Sequence, residues 1–272
     1  MLRAGHVDEP VGPIGQLLRR DRAIALAGVA ALTLLAWAVI VQLARGMGRE
    51  SAMPGMAGAM AMPSPASWGP AELLGLFAMW AVMMAAMMLP SAAPVVLLVL
   101  GVLRRRNASR LPFGATAAFL GGYLLVWAGY SAAATLAQWG LHSAALLSPD
   151  AMRATPAVAG ALLVLAGVFQ WTPLKQACLT HCRSPFHFLS TGWRDGTTGA
   201  LLMGLRHGGW CLGCCWLLMA LLFVAGVMNL AWVAVLAGLV LAEKAAPAGP
   251  LVGRVAGVAL CGWGIWLVLA RP

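Results

Sequence analysis

The residues of this chain best equipped for chemistry are soft metal ligands, and they come at helical spacing. Between Met203 and Met219 the sequence reads MGLRHGGWCLGCCWLLM. On a helix advancing about 100° per residue with His207 at zero, Met203 falls near −40°, Cys211 near +40°, Cys214 near −20° and Cys215 near +80°. Met203, His207, Cys211 and Cys214 thus share a stripe about 80° wide, with Cys215 at its margin. Cysteine also packs as a small hydrophobe, so the cysteines alone would be compatible with simple packing. A histidine added to the same face points to metal binding. Gly204, Gly208, Gly209 and Gly213 recur at near-helical spacing and let a neighbouring helix approach closely.

A second stripe lies in WAVMMAAMMLPSAAP and the residue before it. Met79, Met83 and Met87 follow at i, i+4 and i+8 and fall within about 80° of one another, while Met84 and Met88 take the opposite side. Thioethers are soft and uncharged, suit Cu(I), and compete poorly for Zn²⁺, Mg²⁺ or Ca²⁺. Methionine also serves as a flexible core filler. A third group, Cys178, His181 and Cys182, sits at i, i+3 and i+4, which one helical turn would gather. A fourth, Met47, Met53, Met56, Met60 and Met62, lies in a Gly, Ala, Pro and Ser-rich stretch that has the composition of a flexible linker.

Composition says what scaffold must position these groups. The 272 residues are 61% hydrophobic and 10% charged, whereas a soluble domain carries about 25% charged residues. Eight carboxylates cannot solvate the surface of a soluble body of this length, so the solvent is lipid and the expected fold is an all-α, polytopic membrane protein. The formal charge of +10 sits at the ends of apolar runs and forms no groove-sized patch, which argues against nucleic acid and reads as topology.

Apolar runs at 23–43, 72–103, 113–139, 156–172, 199–225, 228–242 and 252–270 give about seven candidate transmembrane helices. The first follows a basic head and exceeds the usual signal-peptide core of about 7–15 residues, so it reads as a retained anchor. Pro90 and Pro94 predict a kink or break in the second. With the N-terminus in the cytoplasm, the inner side carries thirteen Lys and Arg and the outer side four, which favours that orientation. The chain then divides into a head and anchor (1–43), a Met-rich outer linker (44–71) and a six-helix metal-binding region (72–272). The short sixth run is the weakest span. A helix starting near 199 places Cys211 some 18 Å along it, near the middle of a ~30 Å core, where a histidine is a functional residue by default.

Charged residues within the spans are few, and Arg206 is expected to pair with Glu243, because an unpaired charge at that depth is costly. Asn229 is placed to cap the sixth helix or line a site. The sequence contains no HExxH, GxSxG, phosphate-binding loop or dinucleotide fingerprint, and no intramembrane carboxylate pair for acid–base work. No catalytic residue is assigned and the protein is expected not to be an enzyme.

The stretch from Lys175 to Glu243, with LKQACLTHC, FLSTGWRDG, HGGWCLGCCWLLM, FVAGVMNLAW and LAEK nearby, resembles a family of bacterial integral membrane proteins described as predicted metal-binding. WAVMMAAMMLP is similar to that family's N-terminal signature, and the resemblance covers roughly 71–265. It implies a helical membrane fold and metal binding through His207, Cys211, Cys214 and Cys215. By analogy, eukaryotic copper importers also combine a Met-rich outer segment with an MxxxM helix, here Met79 and Met83. The expected function is Cu(I) transport or delivery in the bacterial cytoplasmic membrane. The outer methionines would collect the ion, Met79, Met83 and Met87 would pass it to His207, Cys211 and Cys214, and Cys178, His181 and Cys182 would receive it. A metal donor or acceptor protein would be the partner, besides the lipid bilayer. The alternatives are an assembly or storage factor without flux, and a thiol oxidoreductase pairing Cys214 or Cys215 with Cys261.

Overall fold

A computed structural model describes residues 13–51, 69–106, 113–147, 152–184 and 192–270. Met53, Met56, Met60 and Met62 lie outside these residues. Every apolar run becomes helix. The elements are α1 (Pro13–Ser51), α2 (Pro70–Arg106), α3 (Phe113–Ser143), α4 (Pro156–Phe169), α5 (Pro173–Arg183), α6 (Gly196–Ala220), α7 (Leu222–Ala225), α8 (Leu230–Ala245) and α9 (Gly249–Leu269). Among the described residues the only β pairing is an isolated bridge between Leu147 and Ala154.

Five of these segments are long and apolar enough to cross a membrane: Arg19–Gly46, Pro70–Arg106, Phe113–Ser143, Gly196–Ala225 and Gly249–Leu269. A sixth is added if α4 and α5, bent by 66° across a short break, count as one broken span. The seven expected from hydropathy are reduced at α8, which has 16 residues. At about 1.5 Å per residue it is ~24 Å long, short of a ~30 Å core. Its limits are chemical: the Asn229 side chain caps it by accepting from Trp232 N at 3.2 Å, and Pro247 follows its end.

Helix α2 is not broken at Pro90 or Pro94, both of which lie inside one continuous helix. The prolines remove two backbone donors, but packed neighbours hold the helix together there. Met83, Met84, Met87, Met88, Leu89, Ala92, Val95 and Val96 are all buried, so both methionine faces of α2 are covered and the distinction between them disappears, while Pro94 stays exposed. Its end is tied to α1 by a salt bridge of 2.5 Å between Arg104 Nε and Asp21 Oδ2.

Helices α3 and α6 pack most intimately, with α2 on α3, α1 outside α2, α5 on α6, and α4 along α9. Glycine permits the closest approach. A Cβ on Gly204 would collide with the Phe119 carbonyl, and one on Gly208 would come within 3.0 Å of Val126. Gly209 faces open space. Gly204→Ala is therefore expected to destabilise the protein by about 3 kcal/mol, the upper end for overpacking, while Gly209→Ala leaves it as stable or up to about 1 kcal/mol more so, since alanine is the better helix former. Thermal unfolding of the two variants in detergent checks this; equal melting temperatures would contradict the α3–α6 packing.

Candidate metal centre

Helix α6 turns its ligand stripe inward, as the periodicity requires. Met203, His207, Cys211, Cys214 and Cys215 are each no more than 3% exposed. Cys211 is the hub. Its sulfur lies 3.1 Å from the Tyr123 hydroxyl of α3 and accepts from Lys244 Nζ of α8 at 2.9 Å. The Tyr123 hydroxyl also donates to the Met88 carbonyl at 3.2 Å, and Lys244 also donates to Ser91 Oγ at 3.3 Å. Helices α3, α6 and α8 thus meet at one sulfur, and α2 braces it through Tyr123 and Lys244. The Cys211 carbonyl accepts from the Cys214 and Cys215 thiols at 3.1 and 2.9 Å, the local back-bonding a short polar side chain makes within a helix.

Helix α5 closes the remaining side. Thr172 caps it by accepting from Lys175 N at 3.3 Å, and Pro173 begins it, an arrangement that suits a first turn. Cys178 packs over Gly213, where a Cβ would come within 2.7 Å of its sulfur. One turn further on, the Cys182 sulfur is 4.0 Å from that of Cys214. This is about twice a disulfide bond of roughly 2.05 Å, and all six cysteines are free thiols. Two sulfurs on one ion at roughly 2.3 Å each span at most about 4.6 Å, so the separation of 4.0 Å could accommodate a shared soft ion. Among the described residues, no three His, Cys, Asp or Glu side chains already converge around a metal position.

The other assigned residues surround this point. The His207 ring stacks with Tyr123 at 5.8 Å and lies 6.0 Å from Phe119, one turn from Cys211 along α6. His181 is half-buried and stacks on Trp210 at 4.2 Å, with its Nδ1 2.8 Å from the Ala177 carbonyl. Met83 and Met87 belong to the same continuous core as Cys178, Cys211, Cys214 and Cys215, and the half-buried Met79 packs against it.

Two expectations are corrected. Arg206 does not pair with Glu243, because Lys175 Nζ donates to Glu243 Oε2 at 2.7 Å with both side chains 1% exposed. Successive helical residues diverge by about 100°, so with His207 turned inward Arg206 is exposed. Cys261 is not placed as a partner for Cys214 or Cys215: it lies in the α4–α9 seam, 3.8 Å from the Val164 carbonyl.

Sequence reading missed Tyr123, Lys244 and Ser91. The first two carry a signal nonetheless: one of only two tyrosines in the chain falls inside an apolar run, and a lysine closes the sixth run.

A family model described as copper chaperone, PpoB2, matches residues 77–267. The chain belongs to that family. The stretch matched to the copper chaperones contains Met79, Met83, Met87 and every cysteine and histidine described above, and it excludes α1 and residues 44–71. The chemistry of a copper chaperone is ligand exchange on its metal, for which clustered thiols and thioethers are suited. No curated protein and no solved structure matches the chain.

Proposed function

We propose that this protein holds Cu(I) within the bacterial cytoplasmic membrane and delivers it by ligand exchange to another protein. The observation that carries the reading is the approach of Cys182 to Cys214, 4.0 Å between sulfurs, beside Cys211. Cys182, Cys211 and Cys214 are the holding set. His207, Cys215 and Cys178 are further ligands within a turn, Met79, Met83 and Met87 form the approach from the outer side, and His181 stands at the rim for hand-off. The basic head before α1 favours an N-terminus on the inner side.

Softness favours Cu(I): clustered sulfurs suit it better than the harder divalent ions, and the ammonium of Lys244, 2.9 Å from Cys211, offsets part of the negative charge its thiolates would carry.

Two tests follow. In proteoliposomes the protein is expected to retain Cu(I) and release it to an acceptor thiol; sustained flux without an acceptor would replace delivery by conduction. Met83→Leu should leave the final copper content unchanged and slow loading severalfold, followed as a time course of Cu(I) transfer from a chromophoric chelator. Equal loading rates would remove Met83 from the route.

A further inference from the structure

The buried ion pair between Lys175 and Glu243 has no role in the reading above, and its geometry is peculiar. Glu243 holds α5 at both ends. Its carboxylate accepts from Lys175 in the first turn at 2.7 Å, and its backbone carbonyl accepts from Arg183 Nη1 in the last turn at 2.5 Å. Lys175 and Arg183 are eight residues apart, about 12 Å along a helix, yet both reach the same residue of α8. Arg183 is held further by the Pro247 carbonyl at 3.1 Å. Gly249 leaves the space for it, because a Cβ there would collide with the Arg183 guanidinium. Gln170, at the bend between α4 and α5, accepts a short hydrogen bond from Lys175.

This arrangement is a poor device for stability. Buried ion pairs often do no better than well-packed apolar residues of similar volume, and this one is incompletely satisfied: Glu243 Oε1 and Gln170 Nε2 have no hydrogen-bond partner among the described residues. A buried polar contact does, however, fix register where apolar packing alone would allow slippage. The residue whose register matters is Cys182, adjacent to Arg183 and 4.0 Å from the Cys214 sulfur. The next residue after Glu243 is Lys244, which touches Cys211. The end of α8 therefore sets both sides of the thiol cluster together.

We propose that Glu243 is a positioning residue that clamps α5 at Lys175 and Arg183 and thereby holds the Cys182 thiol in the copper site beside Cys211 and Cys214. The inference rests on the functional reading above. It predicts that loosening the clamp removes one sulfur from the metal and leaves the α6 sulfurs in place.

The test uses the full-length protein in detergent, titrated with Cu(I) against a chromophoric chelator and examined by X-ray absorption at the copper edge. Glu243→Gln should lose one sulfur from the coordination sphere and weaken Cu(I) binding by about 10–100-fold, the range for outer partners that orient a metal ligand. Cys182→Ser should do the same, and combining the two should add nothing. The charge swap Lys175→Glu with Glu243→Lys should restore binding. Arg183→Met, which removes the last-turn anchor to the Glu243 carbonyl and leaves the buried Lys175–Glu243 pair in place, should reproduce the loss of a sulfur and keeps the test open if Glu243→Gln fails to fold. Full sulfur coordination in the clamp variants, or effects of Glu243→Gln and Cys182→Ser that multiply, would overturn the clamp while leaving the copper site standing. A wild-type protein that bound no Cu(I) would overturn both.

Discussion

Cys211→Ser is expected to weaken Cu(I) binding by more than about a hundredfold, beyond the ~10–100-fold typical when only an outer partner of a ligand is lost. Cys211 is where α3, α6 and α8 meet. Its sulfur touches Tyr123 and Lys244, and its carbonyl holds the Cys214 and Cys215 thiols. A serine oxygen is a harder ligand that Cu(I) disfavours, and it is too short to keep the tyrosine and lysine contacts at once. The backbone carbonyl is untouched, so Cys214 and Cys215 keep their orientation and the protein keeps its fold. Competition with a chromophoric Cu(I) chelator measures the loss, and an unchanged melting temperature shows that it is not a folding defect. Cys261→Ser, altered in the α4–α9 seam, should leave binding intact.

Lys175→Met is expected to lower stability by about 3–5 kcal/mol, the cost of stranding one member of a buried pair. Lys175 and Glu243 are each 1% exposed, and without the lysine the carboxylate would keep no side-chain partner in a region with no water to replace it. Adding Glu243→Leu should recover most of the loss, because two apolar residues of similar volume satisfy a buried site as well as an ion pair does. Thermal unfolding of the single and double variants measures both effects. A single variant as stable as wild type would mean that the pair is not buried in the protein as it stands in its membrane.

What the sequence made legible was what one helix can encode. The α6 stripe follows from the 3.6-residue period alone, because His207, Cys211 and Cys214 need no partner helix to share a face. The Met79, Met83 and Met87 ladder was less so: the period placed them on one face, but Met84 and Met88 opposite are buried as well and Met79 is only half-buried. What required the fold was every contact between elements. Cys182 reaches Cys214 only because the chain bends by 66° after α4 and turns a segment of loop-like composition into a helix lying on α6. Two groups of candidate ligands that are separate in the sequence come together for that reason, at Cys182 and Cys214.

Charges were the least legible. Lys175 and Lys244 counted as topology signals by their position at the ends of apolar runs, and both turn inward to partners distant in sequence, Glu243 and Cys211. The expected Arg206–Glu243 pair failed because hydropathy reports depth and says nothing about which face of a helix a residue occupies. Tyr123 lies 88 residues from Cys211, beyond any local pattern. Conversely, glycine spacing in α6 did announce a close helix contact, realised at Gly204 and Gly208 against α3 and at Gly213 against Cys178.

The central claim is that thiols from α5 and α6 hold copper together, and elemental analysis tests it most directly. The full-length protein, produced in copper-supplemented cells and purified anaerobically without chelators, is compared with the triple variant Cys182→Ser, Cys211→Ser, Cys214→Ser. The account predicts about one copper per chain in the wild type, consistent with a single thiol cluster, and near none in the triple variant. Equal copper in both, or a wild type that carries another metal in its place, would contradict it.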